Sequence, residues 1–206
     1  MKSIVITGVS AGIGYATTTE LLRRGYHVFG SVRKQADADR LQDEFGPSFT
    51  PLLFDITDHA AISKAVQQVA VAVHDKGLEV LINNAGILVP GPLMLMPLPD
   101  FRAQFDVNVL GLLDVTQQFL PLLGARQDPP FAPGRIVNVG SVSGKIAYPF
   151  MGAYAATKHA LEALSDSLRR ELMLYGVDVI LIESGTTRTP IVEKVNRQMQ
   201  KYRGTA

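Results

Sequence analysis

The sequence predicts an α/β fold, built on a doubly wound parallel β-sheet with helices on both faces in three αβα layers. Two observations carry this prediction. Short continuous apolar runs, typical of strands buried on both faces, recur along the chain between longer segments of helical period. A glycine-rich turn joins the first run to the first helical segment. With 206 residues, 47% of them hydrophobic, the chain is expected to form a single domain over residues 1–206.

Strands and helices are predicted to alternate from one end of the chain to the other. The six predicted strands lie at 4–6, 28–29, 52–54, 80–82, 136–139 and 179–182. The predicted helices lie at 12–24, 36–45, 58–76, 99–124 and 152–175. Asp58 is placed to cap the third helix and Gly77 to end it. Repeats in this order indicate right-handed crossovers, with ligands bound beyond the carboxyl ends of the strands.

Composition excludes several functional classes. Lys and Arg number 20 against 19 Asp and Glu, so there is no basic excess to bind nucleic acid. The absence of cysteine excludes disulfides, thiolate metal sites and a cysteine nucleophile, and the four histidines show no metal-site spacing. No apolar run approaches the roughly 18 residues that span a bilayer. We therefore expect a cytoplasmic protein with no metal, membrane or nucleic-acid partner.

The turn after the first strand has the residues of a phosphate-binding loop. Gly8, Gly12 and Gly14 follow a G-x-x-x-G-x-G spacing and open a helix. Glycines allow the backbone to approach a pyrophosphate closely, and a helix N-terminus offers it free N–H groups and a positive dipole end. The alternative is an ordinary glycine turn between strand and helix.

The end of the second strand favours NADP over NAD. An acidic residue here would bind the ribose 2′-hydroxyl of NAD, but the chain has Arg33 and Lys34, and the first carboxylate after the second strand is Asp37. Arginine can bind a 2′-phosphate with two parallel hydrogen bonds, and Lys34 adds charge. The alternative is that both cations are simply solvated at a helix start.

The third and fourth strands also end in polar residues. Asp55 is placed to accept a hydrogen bond from an adenine amino group, although Asp55 or Asp58 is equally well placed as a helix cap. Asn83 and Asn84 precede Ala85-Gly86, where the chain must turn beside a bound dinucleotide. Asparagine also tolerates left-handed turn geometry, so a structural role competes.

Ser141, Tyr154 and Lys158 indicate proton-transfer chemistry. Tyr154 and Lys158 are four residues apart on one predicted helix and so share a face. A nearby cation lowers the pKa of a phenol from about 10, which favours proton exchange at neutral pH. Ser141 ends the fifth strand and can donate a hydrogen bond to a substrate oxygen that gains negative charge. Taken singly, the three residues could be a half-buried tyrosine, a surface lysine and a loop serine.

Asn108 interrupts an otherwise apolar helical stretch. A buried amide within a helix must find partners, so it could disturb the local hydrogen bonds and hold a water leading from Lys158 to solvent. The alternative is a satisfied core asparagine at a helix contact.

Together these residues resemble the short-chain dehydrogenase/reductase superfamily, in its compact, non-extended branch with a Rossmann-like fold. The match covers essentially the whole chain in the family's order: Thr7-Gly8-x-x-x-Gly12-x-Gly14, Asn83-Asn84-Ala85-Gly86, Asn108, Ser141, Tyr154-x-x-x-Lys158 and Gly185-x-x-x-Thr189. The resemblance implies an oxidoreductase that transfers a hydride between NADP(H) and an alcohol/carbonyl pair. The finer likeness is to hydroxysteroid and other hydrophobic-carbonyl reductases.

The resemblance also implies residue roles. Tyr154 would be the general acid or base, Lys158 would bind the nicotinamide ribose and lower the Tyr154 pKa, Ser141 would orient the substrate oxygen, and Asn108 would complete a proton relay. Thr189 would contact the nicotinamide carboxamide and the phosphates, and residues 142–152 and those after 189 would line the substrate pocket. The implied cofactor-binding set is Gly8, Ser10, Gly12, Ile13, Gly14, Arg33, Lys34, Asp55, Ile56, Asn84, Ala85, Gly86, Tyr154, Lys158, Gly185, Thr187 and Thr189.

The sequence departs from the family pattern at three places. Ser184-Gly185 stands where relatives have Pro-Gly, and Ser10 stands where NADP-preferring relatives often have a basic residue. No apolar run follows the sixth strand, so the seventh strand and the substrate-covering segment of relatives are expected to be missing and the sixth strand to be a sheet edge. As in relatives, the helices at 99–124 and 152–175 are expected to form a homodimer or homotetramer. The alternative function is a non-catalytic dinucleotide-binding or scaffolding protein.

Overall fold

A computed structural model describes residues 2–187, 195 and 198–202. Within this part of the chain, six parallel strands form one sheet in the order β3-β2-β1-β4-β5-β6. The strands are β1 (Ser3–Ile6), β2 (His27–Val32), β3 (Phe49–Leu53), β4 (Val80–Asn83), β5 (Arg135–Val139) and β6 (Asp178–Ile182). The helices are α1 (Gly12–Arg23), α2 (Gln35–Phe45), α3 (His59–Val73), α4 (Leu98–Phe105), α5 (Leu112–Phe119) and α6 (Gly152–Glu171). The predicted Rossmann-like α/β class is confirmed.

The sheet is buried on both faces, as its continuous apolar strands predict. In β1, Ile4 and Ile6 pack into a cluster with side chains of α1 and α2, whereas Val5 packs into a second cluster with α3 and α5. The same alternation holds in β2, where Val28 joins the first cluster and Phe29 the second. Successive side chains of a strand point to opposite faces, so one apolar run supplies both cores.

Helix ends follow the predicted local signals. The Asp58 carboxylate caps α3 by accepting a hydrogen bond from the Ala61 N–H, at 3.0 Å. Beyond Val73 the chain makes a 3₁₀ turn, which ends at Gly77 in the left-handed region (φ +63°).

The prediction of a single helix over 99–124 is wrong for the middle of that range. Helix α4 passes into a π-helical turn at Asp106–Gly111, and α5 follows in continuous succession. A Cβ at Gly111 would lie 2.5 Å from the Ile56 carbonyl oxygen, so the backbone here presses against the loop after β3. The periodicity of apolar residues does not reveal a turn of this kind, because it is set by contacts between distant segments.

The strand order reverses between β1 and β4, and this reversal places the ligand crevice. The loops after β1, β2, β3, β4 and β5 all open toward it. In the described residues, β6 lies at one edge of the sheet, as expected. No helix there is long and apolar enough to cross a bilayer, and no group of three or more potential metal ligands occurs. Single-domain organisation and cytoplasmic location stay predictions.

Candidate active site

The glycine turn after β1 is shaped for close backbone approach. Gly8 (φ +72°) and Gly12 (φ +63°) occupy the left-handed region, which favours glycine. A Cβ at Gly14 would lie 2.3 Å from the Gly8 carbonyl oxygen, so this third glycine allows α1 to pack against the turn. Ala11 gives no side-chain cap, and the first turn of α1 holds no acidic residue. The positive end of α1 is therefore free to attract an anion.

Thr7 and Asn84 fasten this turn to the loop after β4. The buried Thr7 hydroxyl oxygen accepts hydrogen bonds from the N–H groups of Asn84 and Ala85, both at 2.9 Å. The Asn84 side-chain nitrogen donates to the carbonyl oxygens of Thr7 and Gly8, also at 2.9 Å. The structural role foreseen for Asn84 is thus present, because its amide holds the two loops together.

Arg33 and Asp55 face each other after β2 and β3. The Arg33 side chain is 72% exposed, with Nη1 3.8 Å from Asp55 Oδ2. Burial alone would raise the Asp55 pKa, but hydrogen bonds from the Thr57 N–H and hydroxyl, together with the nearby Arg33, lower it. Asp55 is therefore an anion within reach of a mostly solvated guanidinium.

A cation that the sequence analysis did not single out also reaches the glycine turn. Arg40, on α2, donates from Nη2 to the Ser10 carbonyl oxygen at 3.0 Å. Its guanidinium lies 3.6 Å from Asp37 and 3.4 Å from Glu44. No local pattern marks this contact, because it joins residues thirty positions apart.

Tyr154 and Lys158 lie on α6, beside the end of β5. The buried Lys158 ammonium lies 5.6 Å from the centroid of the Tyr154 ring and donates to the Val139 carbonyl oxygen at 2.8 Å. Ser141 follows β5; its hydroxyl oxygen accepts from the Ser143 N–H at 3.1 Å and interacts with the Tyr154 hydroxyl. The three residues that the sequence singled out for proton transfer are therefore brought together.

The pKa of Tyr154 does not move as the sequence predicted. Burial raises the pKa of the phenol above its ordinary value, and the hydrogen bond with Ser141 lowers it by less. Burial also lowers the pKa of Lys158 from 10.5 to about 8. In the chain alone, desolvation dominates for both groups and favours their neutral forms. A lower Tyr154 pKa, caused by Lys158 together with an oxidised nicotinamide, stays a prediction.

Asn108 lies buried in the π-helical turn, and its amide binds protein groups. Its Oδ1 accepts from the Ile87 N–H, and its Nδ2 donates to the Ile87 carbonyl oxygen, both at 2.8 Å. The same nitrogen donates to the Thr157 hydroxyl at 3.1 Å, and that hydroxyl donates to the Tyr154 carbonyl oxygen at 2.7 Å. The satisfied amide at a helix contact is thus present, and the proton relay stays a prediction.

One cavity of about 290 Å³ joins the glycine turn to Tyr154 and Lys158, whereas Ser141 and Asn108 do not line it. Of the predicted cofactor-binding residues, those that line it are Gly8, Ser10, Gly12, Ile13, Arg33, Asp55, Ile56, Asn84, Ala85, Gly86, Tyr154 and Lys158. The predicted residues that do not line it are Gly14, Lys34, Gly185 and Thr187, and Thr189 lies outside the described residues. Gly14 instead packs against Gly8, and the Thr187 hydroxyl donates to the Gly185 carbonyl oxygen at 3.3 Å.

Several lining residues were not predicted from the sequence. They are Ala11, Ser31, Val32, Phe54, Ile87, Val107, Val139, Gly140 and Ser184. Most of them lie at or near the carboxyl ends of strands, which was the available signal, but Val107 lies in the π-helical turn, where no such signal exists. Ser31 has a further role, since its hydroxyl oxygen accepts from the Gly8 N–H at 2.9 Å.

Exposed apolar side chains occur in the segment between Ser141 and Tyr154 and in the loop after β4. We call them the apolar rim; they are Leu93, Met94 and Leu95 after β4, and Val142, Ile146, Tyr148 and Phe150 after β5. The two segments touch: the Gly91 N–H donates to the Phe150 carbonyl oxygen at 2.8 Å, and Leu93 packs against Gly152. The rim therefore consists of two touching segments, one of which connects Ser141 to the helix that carries Tyr154.

Known proteins with similar sequence and structure carry out related chemistry. The chain is 42% identical over 205 residues to the NADPH-dependent 3-dehydrocapnine reductase of Ornithobacterium rhinotracheale, covering 100% of this chain and 72% of that protein. The closed form of a serine dehydrogenase complexed with NADP+ superposes with a TM-score of 0.86 at 27% identity, covering 99% of this chain and 82% of that one. A 3-ketoacyl-(acyl-carrier-protein) reductase from Brucella melitensis complexed with NADH gives 0.87 at 25% identity, covering 98% and 81%.

The family follows from the whole length of the chain. The model of the short chain dehydrogenase family matches residues 2–200, which include the glycine turn, Asn108 and the Ser141, Tyr154 and Lys158 group. The chain therefore belongs to the short chain dehydrogenase family and is an oxidoreductase.

Proposed function

We propose that the protein reduces a hydrophobic carbonyl compound with NADPH, with Tyr154 as the proton donor. The observation that carries the proposal is the buried Lys158 ammonium 5.6 Å from the centroid of the Tyr154 ring, whose hydroxyl interacts with Ser141, where both Tyr154 and Lys158 line the cavity. The bound cofactor supplies the hydride. Every other role falls to groups of the chain.

The pKa of Tyr154 favours the direction of reduction. Because burial raises that pKa, the phenol is protonated at neutral pH and is ready to donate its proton to a carbonyl oxygen. The Ser141 hydroxyl donates a second hydrogen bond to that oxygen as negative charge develops. Lys158, protonated below its pKa of about 8, binds ribose hydroxyls and stabilises the phenolate left behind. Asn108 belongs to the route by which Tyr154 regains its proton.

The residues of the cavity fit a dinucleotide. Gly8 and Gly12 leave space at the N-terminus of α1, where a side chain would block a pyrophosphate. Ser10, Ile13, Asn84 and the backbone at 85–86 line the path from there to Tyr154.

The preference for NADP rests on Arg33. Its exposed guanidinium lies at the rim of the cavity, where a 2′-phosphate would take two hydrogen bonds from it. Asp55, held ionised, keeps the guanidinium nearby and accepts from the adenine amino group. The NADPH-dependent relative and the NADP+ complex support this preference, and the NADH complex shows that a neighbour of similar identity binds the other dinucleotide.

The apolar rim supports a hydrophobic substrate. Its side chains are between 37% and 89% exposed, so a substrate tail laid on them would remove apolar surface from water. Burial of one methylene contributes about 0.8 kcal/mol, or roughly a fourfold gain in kcat/KM. A straight-chain aldehyde series from propanal to dodecanal is therefore expected to gain kcat/KM steadily until the rim is filled.

Tyr154→Phe tests the catalytic role. NADPH oxidation with decanal should fall by about 10² to 10⁴ in kcat, since general acid catalysis contributes that much, while NADPH binding measured by fluorescence stays unchanged. Tyr175→Phe is the matched control, since Tyr175 is an exposed tyrosine beyond α6. Turnover that survives in Tyr154→Phe contradicts the assignment. A parent protein that binds NADPH but reduces none of the aldehydes supports the non-catalytic binding function.

We also propose that two or more copies associate through the helices around the π-helical turn. Leu98 on α4 and Leu110 in the turn are 65% and 58% exposed. Light scattering on the purified protein should give the molar mass of a dimer or tetramer, and Leu110→Glu should shift the measured mass toward that of the monomer. A monomeric parent protein contradicts the proposal.

A further inference from the structure

Two side-chain amides bind alternate residues of the loop after β4. Gln104 Oε1 accepts from the Val89 N–H at 3.0 Å, and its Nε2 donates to the Val89 carbonyl oxygen at 3.2 Å. Asn108 makes the same pair of bonds to Ile87. Gln104 and Asn108 are four residues apart and so share a helix face, while Ile87 and Val89 are two apart, as on one edge of a strand. The amides thus take the place of a partner strand.

In the part of the chain that the structure describes, the hydrogen bonds to Val89 are the only contacts of Gln104 that require a polar side chain. Its side chain is fully buried and does not line the cofactor cavity. A carboxamide in the interior is unfavourable unless it is hydrogen-bonded, and an apolar side chain of the same size would fill the space without that requirement. The two bonds to Val89 are the feature that a methionine here would lack.

The loop that Gln104 holds is where the substrate side of the site is assembled. Two residues after Val89, the Gly91 N–H donates to the carbonyl oxygen of Phe150, which has a left-handed backbone (φ +67°). The Tyr202 ring lies against Gly91, since a Cβ there would be 2.7 Å from the Tyr202 hydroxyl oxygen. A strained conformation such as that of Phe150 persists only where neighbouring contacts hold it.

We propose that Gln104 is a positioning residue for the substrate. By binding both backbone groups of Val89, it fixes Gly91, and through Gly91 it fixes the rim segment that ends four residues before Tyr154. The inference rests on the proposed carbonyl reduction and adds a determinant of substrate affinity that contacts neither substrate nor cofactor.

Two substitutions separate positioning from packing. Gln104→Met keeps the length of the side chain and removes both bonds to Val89. Gln104→Glu, assayed at mildly acidic pH where burial keeps the new carboxyl neutral, can still accept from the Val89 N–H and donate to its carbonyl oxygen. Ser165→Ala is the matched control: Ser165 is fully buried on α6, and its hydroxyl oxygen accepts from Asn138 Nδ2 at 2.9 Å, away from the loop.

The expected result is a change in KM without a change in kcat. With decanal as probe, Gln104→Met should raise KM about tenfold, the effect of losing a buried hydrogen bond, while kcat and the NADPH dissociation constant stay within about twofold. Gln104→Glu should restore KM to within about threefold of the parent, and Ser165→Ala should leave it unchanged. An unchanged KM in Gln104→Met, a fall in kcat with constant KM, or a Gln104→Glu protein as impaired as Gln104→Met overturns the inference.

Hydrogen exchange gives a readout that needs no turnover. Amides of residues 87–97 should exchange faster in Gln104→Met than in Ser165→Ala, and at the parent rate in Gln104→Glu. If the parent protein does not reduce decanal but this pattern appears, the proposed function fails while the positioning of the loop stands. If the parent turns over and the exchange rates of all variants agree, the inference fails alone. Should Gln104→Met not fold, Gln104→Glu decides: a KM more than about threefold above that of the parent at the same pH, or faster exchange in that variant, overturns the inference.

Discussion

Replacing Lys158 with methionine should reduce the increase in the free energy of unfolding that the protein shows as the pH rises from neutral to alkaline. The ammonium is buried, and its pKa falls from 10.5 to about 8 because burial disfavours the charged form. Between these two values the folded protein has released a proton that the unfolded chain still binds. Stability conferred by this group is therefore present above pH 10.5 and is lost as the pH falls through 8.

The size of the effect follows from the two pKa values. At pH 7 the proton on Lys158 favours the unfolded chain by about 3 kcal/mol, and at pH 10 by about 1 kcal/mol. The free energy of unfolding of the parent should thus rise by about 2 to 3 kcal/mol relative to Lys158→Met between these pH values. Loss of the hydrogen bond to Val139 changes the free-energy difference between parent and Lys158→Met by the same amount at pH 7 and pH 10. The change of that difference with pH is therefore unaffected by the lost bond.

Urea unfolding at pH 7 and pH 10 measures this difference. The parent, Lys158→Met and Lys64→Met are compared, because Lys64 is an exposed lysine on α3. Titration of all other groups is common to the three proteins and cancels. A free-energy difference between parent and Lys158→Met that is constant with pH, or that resembles the Lys64→Met result, refutes the claim that the ammonium is desolvated.

Three further predictions concern the glycine turn, the ribose end and the fold. Arg33→Ala should weaken NADPH binding about tenfold or more and NADH binding by less than threefold in fluorescence titrations; an unchanged ratio of the two affinities contradicts the 2′-phosphate role. Gly14→Ala should lower the free energy of unfolding by about 2 kcal/mol or more, because its Cβ would lie 2.3 Å from a backbone oxygen. Gly185→Ala, whose Cβ would meet none of the described residues within 4 Å, should be nearly neutral, and equal melting temperatures of the two variants would show that α1 can move. Asp58→Ala should remove about 1 kcal/mol by urea unfolding through loss of the α3 cap, and no loss would mean that water replaces the carboxylate.

Much of the fold could be predicted because its determinants are local. Apolar runs of β-branched residues locate the strands, and a residue such as Asp58 marks a helix start by its own chemistry. The π-helical turn at Asp106–Gly111 could not be predicted in this way. It lies where Gly111 approaches the Ile56 carbonyl oxygen, a contact between segments that periodicity does not relate.

The same distinction between local determinants and contacts of distant segments applies to the candidate site. Tyr154 and Lys158 could be placed together because they share one helix face, and the cavity-lining glycines because they follow a strand. The direction of the Tyr154 pKa could not be predicted, since it depends on how much water the fold removes from the phenol. Gln104 was missed for a related reason: nothing within α4 distinguishes a glutamine bonded to Val89 from one in solvent.

The buried neutral polar side chains and the buried charged side chain of Lys158 have different effects on the stability of the fold. In the described part of the chain, the buried polar side chains are hydroxyls and carboxamides, with Lys158 as the one charged residue among them. The neutral groups join segments, as Asn83 does by donating to Thr116 and Asn138 at 2.9 Å. Lys158 has no carboxylate among its hydrogen-bond partners there and donates to a backbone carbonyl instead, so its burial opposes folding. A buried charge that destabilises the fold and lies 5.6 Å from the Tyr154 ring supports the proposed proton chemistry, because perturbed ionisable groups cluster at functional sites. The comparison with Lys158→Met at two pH values would measure the cost of this burial.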